Sequence, residues 1–150
     1  MVLVIEPKAT IGRLVVRPPV WAEETITIGD VARVMRDAGV SSALIGGGGA
    51  IITERDVARA VAAGVELDGP ALPMATRHPV RVESDVAIVD AAALMLNEEV
   101  RHLVVDFPSG AVGVVSLRDI AAVLLQTTSP HIWLSMLRVA VEGPTSAWLG

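Results

Sequence analysis

Two short motifs place a hydroxyl and a carboxylate at the same spacing, Thr53-x-x-Asp56 and Ser116-x-x-Asp119. This spacing is typical of a helix capping box, in which the two side chains satisfy free backbone N–H groups. A carboxylate held at a helix start can also accept hydrogen bonds from both hydroxyls of a cis-diol, each contributing about 1.5–3 kcal/mol. One residue can fill both roles, so the spacing alone leaves capping and ligand binding open.

Other kinds of reactive site have little support. The chain contains no Cys, which excludes disulfides, thiol catalysis and Cys-based zinc sites. Its three histidines, His78, His102 and His131, lie 24 and 29 positions apart, which is not the spacing of metal ligands. Adjacent carboxylates such as Glu23 and Glu24 are typical of a solvated surface, and no Ser-His-Asp set is recognisable. We therefore predict no metal site and no enzyme activity.

Composition narrows the class of protein further. Of the 150 residues, 52% are hydrophobic and 19% charged, which is enough apolar material for a core. One Phe, three Trp and no Tyr are too few rings for a single-stranded nucleic-acid surface, and a net charge of −5 argues against binding DNA. No apolar run approaches the roughly 18 residues of a membrane span, and the first residues do not resemble a secretion signal. We expect a cytoplasmic protein that binds neither nucleic acid nor membrane.

An internal repeat organises the chain. At an offset of 60 positions, nine residues recur: Arg17, Pro19, Val20, Glu23, Ile28, Asp30, Ala32, Met35 and Val40 match Arg77, Pro79, Val80, Glu83, Ile88, Asp90, Ala92, Met95 and Val100. The two hydroxyl–carboxylate motifs then match at an offset of 63. The register slips only where one turn is longer than the other, which indicates a structural duplication.

Each repeat is predicted to fold as β-α-β-β-α. A short strand opened by Pro precedes an amphipathic helix, and in the first repeat Gly39 is predicted as the C′ residue that follows this helix. A strand, a turn and a return strand follow, and then a second helix over Glu54–Ala63 or Leu117–Gln126. Four glycines, Gly46–Gly49, form the first turn. A phosphate loop is the less favoured reading because no Lys-Ser/Thr follows and no helix starts there.

The ordered motifs of the repeats resemble a tandem pair of CBS (cystathionine-β-synthase-type) domains over about residues 12–126. The three motifs are Met74–Val82, Val100–Asp106 and Gly113–Asp119, and the last occurs again as Ala50–Asp56. The resemblance implies a mixed α+β fold in which both repeats pack as one Bateman-type module. The predicted segments are an N-terminal segment 1–11, a first domain 12–64, a linker 65–73, a second domain 74–126 and a C-terminal helical extension 127–150.

Such CBS pairs bind adenosine nucleotides or related adenosyl compounds in clefts between the repeats, and the Asp of the motif accepts hydrogen bonds from the ribose hydroxyls. The resemblance therefore implies a regulatory module that senses AMP, ADP, ATP or another adenosyl ligand and requires no cofactor. Carried over by position, Thr53 and Asp56 serve one cleft, Ser116, Asp119 and Ser42 serve the other, and Arg101 and His102 approach a phosphate.

The two clefts are not expected to be equivalent. Ala50 stands where the second repeat keeps Gly113, and a glycine there predicts backbone room beside a ligand in the second repeat. Arg101 and His102 have no cationic counterpart in the first repeat, and they also fit an ordinary solvated edge. An alternative to ligand sensing is a ligand-free CBS pair that serves as a scaffold for protein–protein interaction or oligomerisation.

The C-terminal extension predicts self-association. A helix over Ile132–Glu142 carries one narrow polar stripe of Ser135, Arg138 and Glu142 and is otherwise apolar nearly all round. A monomer would struggle to cover this surface, so we expect a homodimer in which the helix is buried. A protein effector is a further expected partner.

Overall fold

The computed structural model describes residues 8–126 and Arg138, and its architecture confirms the predicted mixed α+β class. The elements of the described residues are, in chain order, β1 (Trp21–Ala22), α1 (Ile28–Ala38), β2 (Ser42–Ile45), β3 (Ala50–Thr53), α2 (Glu54–Ala62), β4 (Thr76–Arg77), β5 (Arg81–Glu83), α3 (Ile88–Asn97), β6 (His102–Asp106), β7 (Val112–Ser116) and α4 (Leu117–Gln126). Each repeat has the predicted order β-α-β-β-α.

One compact unit is the continuous segment Pro19–Pro79. Its four-stranded sheet has the order β1-β2-β3-β4, with β1 parallel to β2 and the other neighbours antiparallel. All four residues of β2 are buried, which explains why Ala43-Leu44-Ile45 is a continuous apolar run rather than an alternating pattern. Its core consists of Ile28, Val31, Met35, Ala43, Ile45, Ala50, Ile52, Ala60 and Ala71.

The other unit joins the described residues up to Pro18 with those from Val80 onward. Its three-stranded sheet has the order β5-β6-β7, with β5 parallel and β7 antiparallel to β6. Its core consists of Ile11, Leu14, Val82, Ile88, Ala91, Ala92, Met95, Leu103, Val105, Val115, Ile120 and Val123. Each unit therefore has a hydrophobic core of its own, built almost entirely from aliphatic side chains.

The first helix begins and ends as its sequence predicts. The hydroxyl of Thr27 accepts a hydrogen bond from the backbone N–H of Asp30 at 3.1 Å, which caps the N-terminus of α1. Gly39 follows the helix in the left-handed conformation, with φ +66°, and its N–H returns to carbonyls of the last turn. These two residues fix the length of α1 and deliver the chain to β2.

The residues before the first repeat pack on the body of the second repeat. A 3-10 turn at Ile11–Leu14 places both of these residues in the core that contains α3. The N–H of Ile11 donates to the carbonyl of Val86 at 2.7 Å, and the N–H of Ile88 donates to the carbonyl of Ala9 at 2.9 Å. The start of α3 is therefore held by the residues that precede the first repeat.

In the same way, the residues before the second repeat pack on the first repeat. The N–H of Ala71 donates to the carbonyl of Ile26, and the N–H of Ile28 donates to the carbonyl of Gly69, both at 2.9 Å. Further along, Thr76–Arg77 adds β4 to the edge of β3, a strand that the sequence did not predict. The compact units consequently differ from the predicted segments 12–64 and 74–126, because each repeat exchanges its leading residues with the other.

Two parts of the sequence predictions lie outside the described residues. They are the N-terminal residues 1–7 and the extension 127–150, apart from Arg138, which is helical and exposed. Across residues 8–126, no helix is long and apolar enough to cross a membrane.

Candidate functional site

In the second repeat, the strand-to-helix turn holds one oxygen of an exposed carboxylate and makes no hydrogen bond to the other within the described residues. Asp119 Oδ2 accepts hydrogen bonds from the backbone N–H of Ser116 at 2.8 Å and from its hydroxyl at 3.0 Å. In return, the N–H of Asp119 donates to Ser116 Oγ at 3.2 Å. Among the described residues, no hydrogen bond reaches Asp119 Oδ1, and the side chain is exposed. The capping box is therefore formed, and an acceptor remains for a ligand.

Residues with basic side chains lie next to this turn in the chain or in the strand register. The carbonyl of Arg101 accepts a hydrogen bond from the N–H of Leu117 at 2.8 Å, and His102 is the register partner of Ser116 across β6 and β7. Arg101 is exposed, as is Arg118 within the first turn of α4. The structure thus brings Arg101, His102, Ser116 and Asp119 to one end of the three-stranded sheet. An anion at this point would meet several donors and the N-terminus of a helix.

The turn in the first repeat has the same backbone pattern. Asp56 Oδ2 accepts from the N–H and the hydroxyl of Thr53 at 2.9 and 3.1 Å, and the N–H of Asp56 donates back to the hydroxyl at 3.3 Å. The N–H of Glu54 donates to the carbonyl of Ser41 at 3.1 Å, as that of Leu117 does to Arg101. Both motifs therefore form capping boxes.

The two carboxylates differ in accessibility. Asp56 is only 5% exposed, whereas Asp119 is on the surface. The second oxygen of Asp56 lies 3.7 Å from the guanidinium of Arg59, three positions further along α2. This ion pair was not predicted, although the spacing of the two residues on one helix face could have indicated it. Asp56 consequently has less freedom to receive a ligand than Asp119.

Ser42 lies with the turn of the first repeat. On sequence grounds it serves the cleft of Ser116 and Asp119, but in the sheet it is the register partner of Thr53. It is buried, with 8% of its surface exposed. Within the unit Pro19–Pro79, it therefore stands beside Thr53 and Asp56.

Gly113 does not provide room for a ligand, so that interpretation of the sequence is wrong. A Cβ at this position would lie 2.5 and 2.8 Å from the two methyl carbons of Val15. The space beside β7 is filled by the segment that precedes the first repeat. If a ligand binds the second repeat more tightly than the first, the difference must therefore come from the charges near this turn and from the exposure of Asp119.

A metal centre finds no support in the described part of the chain. Residues 8–126 contain no group of three or more His, Asp or Glu side chains that could hold an ion. What the two turns can do chemically is accept hydrogen bonds and, in the second repeat, attract an anion.

Comparison with known proteins agrees with this architecture. A family model of the CBS domain matches residues 11–63 and 72–126, one match in each repeat. An uncharacterised 17.7 kDa protein in the bps2 3′ region of Acidianus ambivalens is 33% identical over 105 residues, which cover 67% of this chain and 63% of that protein. The match thus spans less than two thirds of that relative's length.

Two solved structures show the same fold. The CBS domain protein PAE2072 from Pyrobaculum aerophilum, complexed with AMP, is 35% identical and has a TM-score of 0.68, with 80% of this chain and 98% of that chain covered. The CBS domain pair of protein MJ0100, in complex with 5-methylthioadenosine and S-adenosyl-L-methionine, is 22% identical with a TM-score of 0.68, covering 77% of this chain and 95% of that one. The chain belongs to the CBS domain family, with one CBS domain in each repeat.

Proposed function

We propose that this protein is a regulatory binding module, and that the turn at Ser116 and Asp119 binds an adenosine nucleotide of the AMP type. The main supporting observation is that Asp119 is exposed and that its Oδ1 receives no hydrogen bond from the described residues, so this oxygen can accept one from ribose while Oδ2 caps α4. Arg101 and Arg118 supply positive charge close to the same turn, where a phosphate could bind. Support also comes from the 35% identical CBS protein whose structure contains AMP.

The purine is expected to rest on aliphatic surface rather than on a ring. Neither repeated motif contains an aromatic residue, and neither do β3 and β7, the strands that lead into them. Affinity must then come mostly from the ribose and phosphate contacts, since a hydrogen bond to a charged group contributes about 1.5–3 kcal/mol. The proposal consequently predicts that removing one hydroxyl or the phosphate weakens binding strongly.

Thermal unfolding with a ligand panel tests this function. At a concentration 100 times its dissociation constant, AMP should stabilise the chain by about 2.7 kcal/mol, which corresponds to roughly 5–10 °C in Tm for a protein of this size. We expect a smaller shift with adenosine, which lacks the phosphate, and with 2′-deoxy-AMP, which lacks one hydroxyl. If AMP and S-adenosylmethionine both leave Tm unchanged at millimolar concentration, the ligand-free scaffold replaces this proposal.

Association into a homodimer and control of a protein effector complete the proposal. The homodimer prediction rests on the apolar sequence of Ile132–Glu142, which lies outside the described residues apart from Arg138. Truncation after Gln126 should then yield a monomer or an aggregating protein, because it removes the apolar segment that is expected to form the interface. Sedimentation of both chains over a range of concentrations measures this. A full-length chain that sediments as a monomer at every concentration would contradict the prediction.

A further inference from the structure

A pocket of about 560 Å³ opens at the end of the four-stranded sheet opposite Ser42 and Thr53. Its walls are Trp21, Glu23 and Glu24, together with the backbone of Gly46 and Gly47 directly after β2. Trp21 is 49% exposed, and both glutamates are exposed. Neither carboxylate forms an ion pair within residues 8–126. The pocket therefore combines an accessible indole with uncompensated negative charge.

The four-glycine turn gives this pocket its shape. Gly48 has φ +93°, and a Cβ there would lie 3.6 Å from Cη2 and Cζ3 of Trp21. Gly46 has φ +62°, and a Cβ there would lie 2.8 Å from Oε1 of Glu24. The indole of Trp21 thus lies against Gly48, and the carboxylate of Glu24 lies against Gly46. The turn holds both groups at the edge of one pocket.

At the equivalent place in the second repeat, a guanidinium is already present. Arg81 corresponds to Trp21 at the offset of 60, and both residues occupy the first position of a strand parallel to its neighbour. Arg81 donates through Nε and Nη2 to the two oxygens of Asp106, at 2.9 and 2.7 Å. These hydrogen bonds hold the pKa of Asp106 below its ordinary range and raise that of Arg81. In the first repeat, tryptophan stands at the position of Arg81 and Gly46 at that of Asp106, and the carboxylates of Glu23 and Glu24 line the pocket instead.

We propose that the pocket of Trp21, Glu23 and Glu24 binds a guanidinium group carried by a ligand from outside the chain. A planar cation can stack on the indole and donate hydrogen bonds to a carboxylate at the same time. The volume of about 560 Å³ is within the usual range of about 300–1,000 Å³ for small-ligand pockets. This site is separate from the AMP turn and does not depend on it.

The guanidinium could belong to a free metabolite or to an arginine side chain of a partner, and titration separates the two sources. The probes are agmatine, the peptide acetyl-Gly-Arg-Gly-amide, and the same peptide with citrulline, a neutral isostere of arginine. The indole N–H signal of Trp21, assigned by its loss in Trp21→Phe, should shift saturably with agmatine or the arginine peptide. Tighter binding of the peptide assigns the site to a protein partner, and tighter binding of agmatine assigns it to a free cation.

Variants then test the individual groups by ligand-observed NMR. Glu24→Gln should weaken binding about tenfold, the factor that corresponds to about 1.4 kcal/mol. Trp21→Arg should abolish it, since this variant removes the indole and places a guanidinium of the chain itself beside Glu23 and Glu24. Glu98→Gln, which removes an equal charge after α3, is the matched control and should bind normally. The proposal would be overturned if the citrulline peptide bound as tightly as the arginine peptide, or if Glu24→Gln and Glu98→Gln lost equal affinity. The AMP response should be unchanged in every variant.

Discussion

Asp119→Ala is expected to weaken AMP binding by at least about tenfold, the equivalent of one lost hydrogen bond to a charged group. The substitution removes the exposed oxygen that would receive the ribose and leaves the nearby cations in place. Asp56→Ala should have a smaller effect on AMP binding, because Asp56 is buried and has Arg59 3.7 Å from its second oxygen. Calorimetric titration of both variants measures the difference.

Capping must be separated from binding in this comparison. Both aspartates belong to capping boxes, so each alanine variant should lose about 0.5–2 kcal/mol of stability. Asp56→Ala should lose more stability than Asp119→Ala, since it also breaks the contact with Arg59. Ser116→Ala removes the capping hydroxyl but keeps the carboxylate, and should retain most of the affinity. Equal affinity losses in the two aspartate variants, or a larger one in Asp56→Ala, would contradict our assignment of the site to the second repeat.

Gly113→Ala is expected to destabilise the protein by about 1–3 kcal/mol, because its methyl group would overlap Val15 at 2.5 Å. For a chain of this length, such a loss lowers Tm by roughly 2–4 °C per kcal/mol. Val15→Ala in the same chain should recover part of the loss by making room. Urea unfolding of the two single variants and the double variant measures this coupling.

A matched glycine shows whether the effect comes from that overlap. Gly49 has the backbone conformation of a right-handed helix, with φ −74°. The methyl group of Gly49→Ala would have its nearest neighbouring atom 3.5 Å away. It should change stability little, or increase it slightly by restricting the unfolded chain. If Gly113→Ala is as harmless as Gly49→Ala, the segment around Val15 does not pack on β7 in solution.

Much of the fold could be predicted because equivalent buried positions in the two repeats have the same residue types. Positions such as Ile28 and Ile88 or Met35 and Met95 are buried in both units, so the same residue types recur. The exchanged leading segments escaped prediction for the opposite reason. Their contacts at Ala9 and Gly69 are backbone hydrogen bonds, which require no particular side chain, and the buried residues Ile11 and Ala71 at matching positions differ in type.

The candidate site was predictable in its residue types but not in its environment. Spacing alone predicted that Thr53 and Ser116 would each pair with an aspartate three positions later, and both boxes are formed. Which aspartate remains accessible depends on what packs above each turn and on the neighbour three positions along the helix. Spacing also gave no sign that Val15 would occupy the space beside Gly113, since the two residues are remote in the chain.

The exchange of leading segments has a consequence for biosynthesis. The unit Pro19–Pro79 is an uninterrupted stretch of chain, and the other unit lies on both sides of it in sequence. Chains emerge from the ribosome N-terminal end first, so the inserted unit is complete before most of its host has been made. The turn at Ile11–Leu14 is translated earliest of the described elements, yet its partners in α3 and β7 follow only after the whole of Pro19–Pro79. Until then, Ile11 and Leu14 lack the side chains of α3 and β7 that bury them in the folded protein.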